Sequence, residues 1–264
     1  MAKSTRKRPG KTLGKAVRVA IVTGGGTGLG RAMANRLAAD GFEVAILGRR
    51  ANRLKPKKGE KNLHPYVCDV GDHAQIKNTV KAVRAKFGRI DAVVNNAGVV
   101  QRATHDKITP DQIDHTFGIN LIGMMHMCLE CIPALKRTHG SIINISSSLT
   151  DRCAPEYGVY AATKGAMNAW SNTLAVELAQ WGVRVNVVSP SLVRSEIYFA
   201  DGMARREYND HLKVLGDTYF PLGRSGEPGD ISGIVAFLAS SEASWMTGQV
   251  VTIDGGESVG YKRW

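Results

Sequence analysis

The stretch Thr23-Gly24-Gly25-Gly26-Thr27-Gly28-Leu29-Gly30 constrains the fold of this chain more than any other. It follows an apolar run at 17–22 and opens a stretch with helical spacing at 28–40. Glycines bring the backbone close to a pyrophosphate, and the first turn of a helix adds unpaired N–H groups and a partial positive charge. Such a turn works only between a strand and a helix, which is where this one stands. It predicts a dinucleotide site formed by Gly24, Gly26, Thr27, Gly28, Leu29 and Gly30.

The same alternation continues along the chain. Short apolar runs fall at 44–47, 66–68, 92–94, 141–145, 183–188 and 249–253, with helical stretches at 72–87, 111–136, 157–181 and 231–239. Strands that are apolar throughout are covered on both faces, and strands alternating with helices make right-handed crossovers in a parallel sheet. The expected fold is α/β: a Rossmann-like, doubly wound parallel sheet of about seven strands in a single domain. Ligands in such sheets sit at the carboxyl ends of the strands. A chain of 264 residues, 43% of them hydrophobic, can bury enough surface without disulfides or a structural metal. Residues 17–257 are the expected domain, 1–16 a basic, disordered leader and 258–264 a short tail.

Net charge is +12, yet seven of the 35 basic residues and none of the 23 acidic ones lie in the first eighteen positions. That segment has no aromatic residue to stack on a base, so nucleic acid is not an expected partner. It is too poor in apolar residues for a signal sequence, and no run along the chain reads as a membrane span. Cys128 and Cys131 form a lone C-x-x-C in an apolar helical stretch. With no second pair to complete a metal site, they read as buried inert thiols. No metal is expected, and the cysteine usage suits a reducing cytoplasm.

Beyond the glycine turn come Asn95-Asn96-Ala97-Gly98, Asn120, Ser147, Tyr160-x-x-x-Lys164 and Pro190. In this order and spacing, with T-G-x-x-x-G-x-G at the start, the chain resembles the short-chain dehydrogenase/reductase family over roughly residues 17–257. The resemblance implies hydride transfer between NAD(P) and a carbonyl or alcohol substrate. It assigns Asn96, Ala97 and Gly98 to the cofactor wall and places Asp69, with Val70 beside it, against the adenine. Asn95 reads better as a bond between strands. Pro190-Ser191-Leu192-Val193-Arg194-Ser195 is similar to the family's P-G-x-x-x-T, so Pro190, Val193 and Ser195 are further cofactor contacts. Ser191 replaces the family's glycine, and backbone strain is expected there.

The second strand runs into Gly48-Arg49-Arg50. An acid at its end suits a free ribose 2′-hydroxyl, whereas a base suits a 2′-phosphate. Gly48 stands where NAD-preferring relatives carry Asp, and Arg49 offers a planar fork to a phosphate, with Arg50 beside it. The two arginines could instead solvate a loop, and Thr27 stands where many NADP-preferring relatives carry a base. The balance favours NADP(H) over NAD(H). The stretch 50–65 is short for the family and holds Pro56, so its usual helix is expected to be truncated.

Tyr160 and Lys164 share one helical face. A lysine cation about 4 Å from a phenol, at an effective dielectric near 20, is worth roughly 4 kcal/mol, or about three pKa units. That would bring the tyrosine towards neutrality, where it serves as acid and base. By resemblance, Ser147 bonds the substrate oxygen, Lys164 also holds the nicotinamide ribose, and Asn120 holds a water in a proton relay. Asn120 also reads as a polar group that kinks its helix. Tyr157 has no lysine four residues on and is the weaker acid/base.

Residues 196–220 are the expected mobile lid over the substrate, mixing aromatic residues with Arg205, Arg206 and His211. The expected function is an NADP(H)-dependent ketoreductase acting on a small-molecule carbonyl, 3-oxoacyl-thioester-like or another small ketone. The alternatives are an NAD-dependent sugar, polyol or other alcohol dehydrogenase and, more remotely, a non-catalytic cofactor sensor. Asp254-Gly255-Gly256 is similar to the family's C-terminal strand end, which implies a homotetramer, or else a dimer.

Overall fold

Ala20, Ile21 and Val22 are wholly buried, and the strand that holds them lies in the middle of the sheet. A computed structural model of the chain describes residues 17–197 and 204–260. The leader 1–16, the last four residues and the lid positions Tyr198, Phe199 and Met203 lie outside the described residues.

The described residues form seven strands: β1 (Arg18–Thr23), β2 (Phe42–Gly48), β3 (Leu63–Val67), β4 (Ala92–Asn95), β5 (Ser141–Ile145), β6 (Arg184–Pro190) and β7 (Val250–Ile253). They pair in the order β3-β2-β1-β4-β5-β6-β7, and every pairing is parallel. Chain direction along the sheet reverses between β1 and β4, which opens a crevice at their carboxyl ends. Pro65 is tolerated in β3 because that strand is an edge.

Helices cover both faces. α1 (Gly28–Ala39) and α8 (Pro228–Ala239) pack together over one cluster of buried side chains that includes Val22, Met33, Leu37 and Val235. α3 (His73–Phe87), α5 (Gly123–Thr138) and α6 (Gly158–Leu178) close a second cluster on the other face, with Ile76, Met127, Leu135 and Leu174. α2 (Ala51–Leu54) has only four residues, the truncation expected from the short stretch before Pro65. Cys128 and Cys131 are free and fully buried on α5, and burial pushes the Cys128 thiol up to about 12.

The expected single helix at 111–136 differs in one respect. α4 (Pro110–Phe117) passes through a π-helical segment, Gly118–Ile122, before continuing as α5. Gly123 has no room for a side chain, since a Cβ there would stand 2.2 Å from the Val70 carbonyl oxygen. The helix is thus packed by its backbone at this point, directly after the wider turn. Contrary to the sequence expectation, the 29 residues Pro110–Thr138 are long and apolar enough to cross a membrane. Half of the most apolar window is buried inside the protein, and this helix packs against α3 and α6.

Candidate active site

Every residue expected at the site except Asn120 lines one cleft of about 1200 Å³ at the carboxyl end of the sheet. At one end of the cleft, Thr27 caps α1 in an extended conformation without a side-chain hydrogen bond. The first-turn N–H groups therefore face the cleft uncommitted to a cap. Gly24 has φ +66°, and a Cβ on Gly30 would stand 2.3 Å from the Gly24 carbonyl oxygen. Only glycine at both positions lets the helix start so close to the turn.

Arg49, Arg50 and Arg53 border this end of the cleft. Arg50 and Arg53 lean towards Glu196 at 3.9 and 3.8 Å. Among the described residues no hydrogen bond or ion pair engages Arg49, which is exposed at the end of β2. Behind them the buried Arg31 is held by Glu60 and by the Lys55 carbonyl at 2.7 Å. That guanidinium, helped by the Lys57 N–H and Asn35, holds the Glu60 carboxyl down at about 2. The network ties the loop after α2 to α1 beside the glycine turn. Asp69 accepts the Gly71 N–H at 2.9 Å, fixing the turn that presents Asp69 and Val70.

The segment after β4 is pinned to β1. The Thr23 hydroxyl accepts the Asn96 and Ala97 N–H groups at 2.9 and 3.0 Å, and Asn96 donates back to the Thr23 carbonyl at 3.0 Å. Asn95 donates to the Asn144 side chain at 2.9 Å, which joins β4 to β5. Asn120 stands behind this wall, fully buried in the π-helical segment. It accepts the Val99 N–H at 2.8 Å and donates to the Val99 carbonyl at 2.9 Å and the Thr163 hydroxyl at 3.3 Å. With both amide protons committed, its side chain secures the Gly98–Val99 turn.

The three neighbouring serines have separate partners. Ser146 donates to the Lys164 carbonyl at 3.4 Å, Ser147 is hydrogen-bonded to Tyr160, and Ser148 points to Glu257. Ser147 Oγ also accepts the Leu149 N–H at 3.3 Å. Lys164 is buried and donates to the Ile145 carbonyl at 2.7 Å, with its ammonium 5.6 Å from the centre of the Tyr160 ring. Burial lowers this lysine to about 8.

Tyr160 departs from the expectation. Its ring faces the cleft, but the protein packed around its hydroxyl pushes the phenol up to about 12, against the pull of the Ser147 hydrogen bond. Loss of water from the phenolate, with the neighbouring Tyr157, outweighs the Ser147 hydrogen bond, so the phenol keeps its proton at neutral pH.

The segments after β6 complete the cleft, with one correction at Ser191. The described part of the expected lid is a helix, α7 (Arg205–Tyr219). Tyr208 and Leu212 are buried anchors on it, and the Tyr208 hydroxyl accepts the Ser195 N–H at 2.8 Å. Arg205, His211, Leu215 and Tyr219 face the cleft. Ser195 and Glu196 come within contact range of Gly28, and Val193 is bridged to Gly226. Ser191 is not in a left-handed conformation, so the expected strain is absent. Sequence reasoning missed Arg53, Arg152 and Glu257 as cleft residues. They carry no local signal, because their partners lie far along the chain.

The chain as a whole is similar to known proteins. The family profile described as "Enoyl-(Acyl carrier protein) reductase" matches residues 24–258. An uncharacterized oxidoreductase of Methylorubrum extorquens is 39% identical over 250 residues, covering 90% of this chain and 97% of that protein. A 3-oxoacyl-[acyl-carrier-protein] reductase of Thermotoga maritima is 33% identical, covering 90% and 97%. The structure of a 3-ketoacyl-(acyl-carrier-protein) reductase from Brucella melitensis complexed with NADH superposes with a TM-score of 0.82 at 29% identity, covering 92% and 98%.

Proposed function

Because the chain belongs to the short-chain dehydrogenase/reductase family, and is an oxidoreductase acting on CH–OH groups with NAD(P), we propose that it interconverts a ketone and a secondary alcohol. In this reading NADP(H) is preferred and Tyr160 is the proton donor. The observation that carries it is the meeting of Tyr160, Ser147 and Lys164 in the cleft that begins at the glycine turn. The donors suit a dinucleotide: open N–H groups at the start of α1 for the pyrophosphate, Asp69 and Val70 for the adenine, and Asn96 to Gly98 along the wall.

When bound, the nicotinamide gives or takes the hydride. Tyr160 holds a proton on its hydroxyl throughout the neutral range and passes it to the carbonyl oxygen as negative charge gathers there. Ser147 Oγ is fixed from behind by the Leu149 N–H and its hydroxyl is bonded to Tyr160, so a substrate oxygen that meets the phenol also comes within reach of the serine proton. Lys164, anchored on the Ile145 carbonyl, keeps a positive charge beside the phenol below about pH 8 and lowers the cost of its transient ionisation. Asn120 holds the wall that positions these groups.

The preference for NADP(H) rests on Arg49, whose guanidinium is uncommitted where a ribose 2′-phosphate would lie, while Arg50 and Arg53 are drawn to Glu196. A homo-oligomer, tetrameric or else dimeric, is supported by the place of β7 at an edge of the sheet and by the nearly fully exposed Trp245. Hydride transfer is tested by following the absorbance of NADPH and NADH across a panel of ketones and alcohols. Wild-type turnover in Tyr160→Phe would refute the assignment.

A further inference from the structure

The cleft also carries a carboxylate that the proton chemistry does not use. Glu257 follows a turn after β7 in which Gly255 and Gly256 take φ of +63° and +89°. The turn brings its side chain back into the cleft that holds Tyr160 and Ser147. There Glu257 Oε2 accepts the Ser148 hydroxyl at 3.3 Å and the Ser191 hydroxyl. Its main-chain carbonyl accepts Arg152 Nη1 at 2.6 Å, which fixes the segment. Ser148 follows Ser147 in the chain, so the segment that holds the carboxylate also carries the group that bonds the reacting oxygen, and both line one cleft. Among the described residues no cation pairs with it, and its Oε1 accepts no hydrogen bond.

We infer that Glu257 reads a hydroxyl group on the carbon beside the reacting one, so that the substrate is an α-hydroxy ketone or the matching vicinal diol. This rests on the carbonyl–alcohol reading above. A carboxylate enclosed by a bound ligand must find a donor, because stripping its water without one is costly. An aliphatic acyl chain offers no donor, whereas a neighbouring hydroxyl does. An ammonium group is disfavoured, since Arg102, Arg152, Arg205 and His211 line the same cavity. Ser191 gains a purpose here. Standing where the family has glycine, its hydroxyl holds the carboxylate in place, which makes it a positioning residue for Glu257.

The test compares acetoin with butan-2-one, which lacks the one hydroxyl, and with the N-acetylcysteamine thioester of acetoacetate. All three are reduced by the full chain with NADPH and with NADH. A site built to bond a hydroxyl leaves its own group unpaired when the analogue lacks it. Wild type is expected to favour acetoin over both others by about tenfold or more in kcat/KM, the size of one hydrogen bond to a charged group. In Glu257→Met the acetoin to butan-2-one ratio falls by about tenfold, mainly through KM, and the thioester gains relative to acetoin. Glu257→Gln keeps the side chain's shape, and Ser191→Gly removes only the positioning hydroxyl. Both are expected to lower the ratio several-fold, and they report it if the methionine variant does not fold. Equal use of the ketones by wild type, or an unchanged ratio in folded Glu257 variants, overturns the inference alone. Failure of wild type to reduce any ketone overturns the carbonyl–alcohol reading with it.

Discussion

The two ends of the cleft are built in different ways. The nucleotide end is made of local stretches, largely backbone with the Arg49 and Asp69 side chains added: the turn at 24–30, the strand ends at 48–50 and 69–70, and the segment 96–98. Each is a short stretch following one strand. The substrate end is made of side chains from distant segments, since Glu257 meets Ser148 across 109 positions, Arg152 across 105 and Ser191 across 66. A backbone site needs a residue type at a local position, so it leaves a motif. A side-chain site needs only that the fold bring its members together, so it can vary without disturbing the scaffold.

The largest test of this contrast is Tyr160→Phe, which should cut kcat by about 10²- to 10⁴-fold. Cofactor affinity, measured by fluorescence titration, should change far less, because the nucleotide end does not depend on that proton. Next, Arg49→Ala should weaken NADPH binding by about tenfold or more while leaving NADH nearly unchanged. Equal losses for both cofactors would place the arginine outside phosphate recognition.

The pH dependence probes the junction between the two ends. Burial lowers Lys164 to about 8. Reductase kcat/KM should therefore hold below that pH and fall by about tenfold per unit above it, as the cation is lost. A profile flat to pH 10 would remove Lys164 from the proposed role.

The smallest effect lies in the support of the nucleotide end. Arg31 and Glu60 are nearly buried, at 6% and 13% side-chain exposure, whereas Arg50 and Arg53 reach Glu196 at the surface. Glu60→Gln should cost about 1–3 kcal/mol in chemical denaturation, and Glu196→Gln under about 1 kcal/mol. With its folded value depressed to about 2, Glu60 stabilises the protein fully above the ordinary carboxylate range. That contribution fades as pH falls from about 4.5 towards 2, so Glu60→Gln and wild type should converge in acid.

Strand number, parallel pairing and the position of the cleft were legible from apolar runs alternating with helical spacing. Boundaries were not. β2 extends at both ends beyond its apolar centre, and β3 includes Pro65, because hydrogen bonding to a neighbour sets strand length as much as hydrophobicity does. The π-helical segment was hidden because the spacing around Gly118 and Gly123 still reads as helical. The close approach of the Val70 carbonyl to Gly123, next to that segment, shows only in three dimensions. That residues 205–219 form a helix anchored by Tyr208 and Leu212 was not legible, because its mix of aromatic and basic residues does not show which of them are buried.

By itself, then, the sequence determined the sheet, the glycine turn and the order of the polar residues along the cleft, because those follow from local periodicity and the steric freedom of glycine. The tertiary structure decided how those residues behave. Packing around the Tyr160 hydroxyl set the phenol's proton affinity, the Val99 backbone claimed the Asn120 side chain, and the turn at Gly255 and Gly256 carried Glu257 to Ser148 and Ser191. Burial and long-range contact are properties of three-dimensional arrangement, and residue spacing does not encode them.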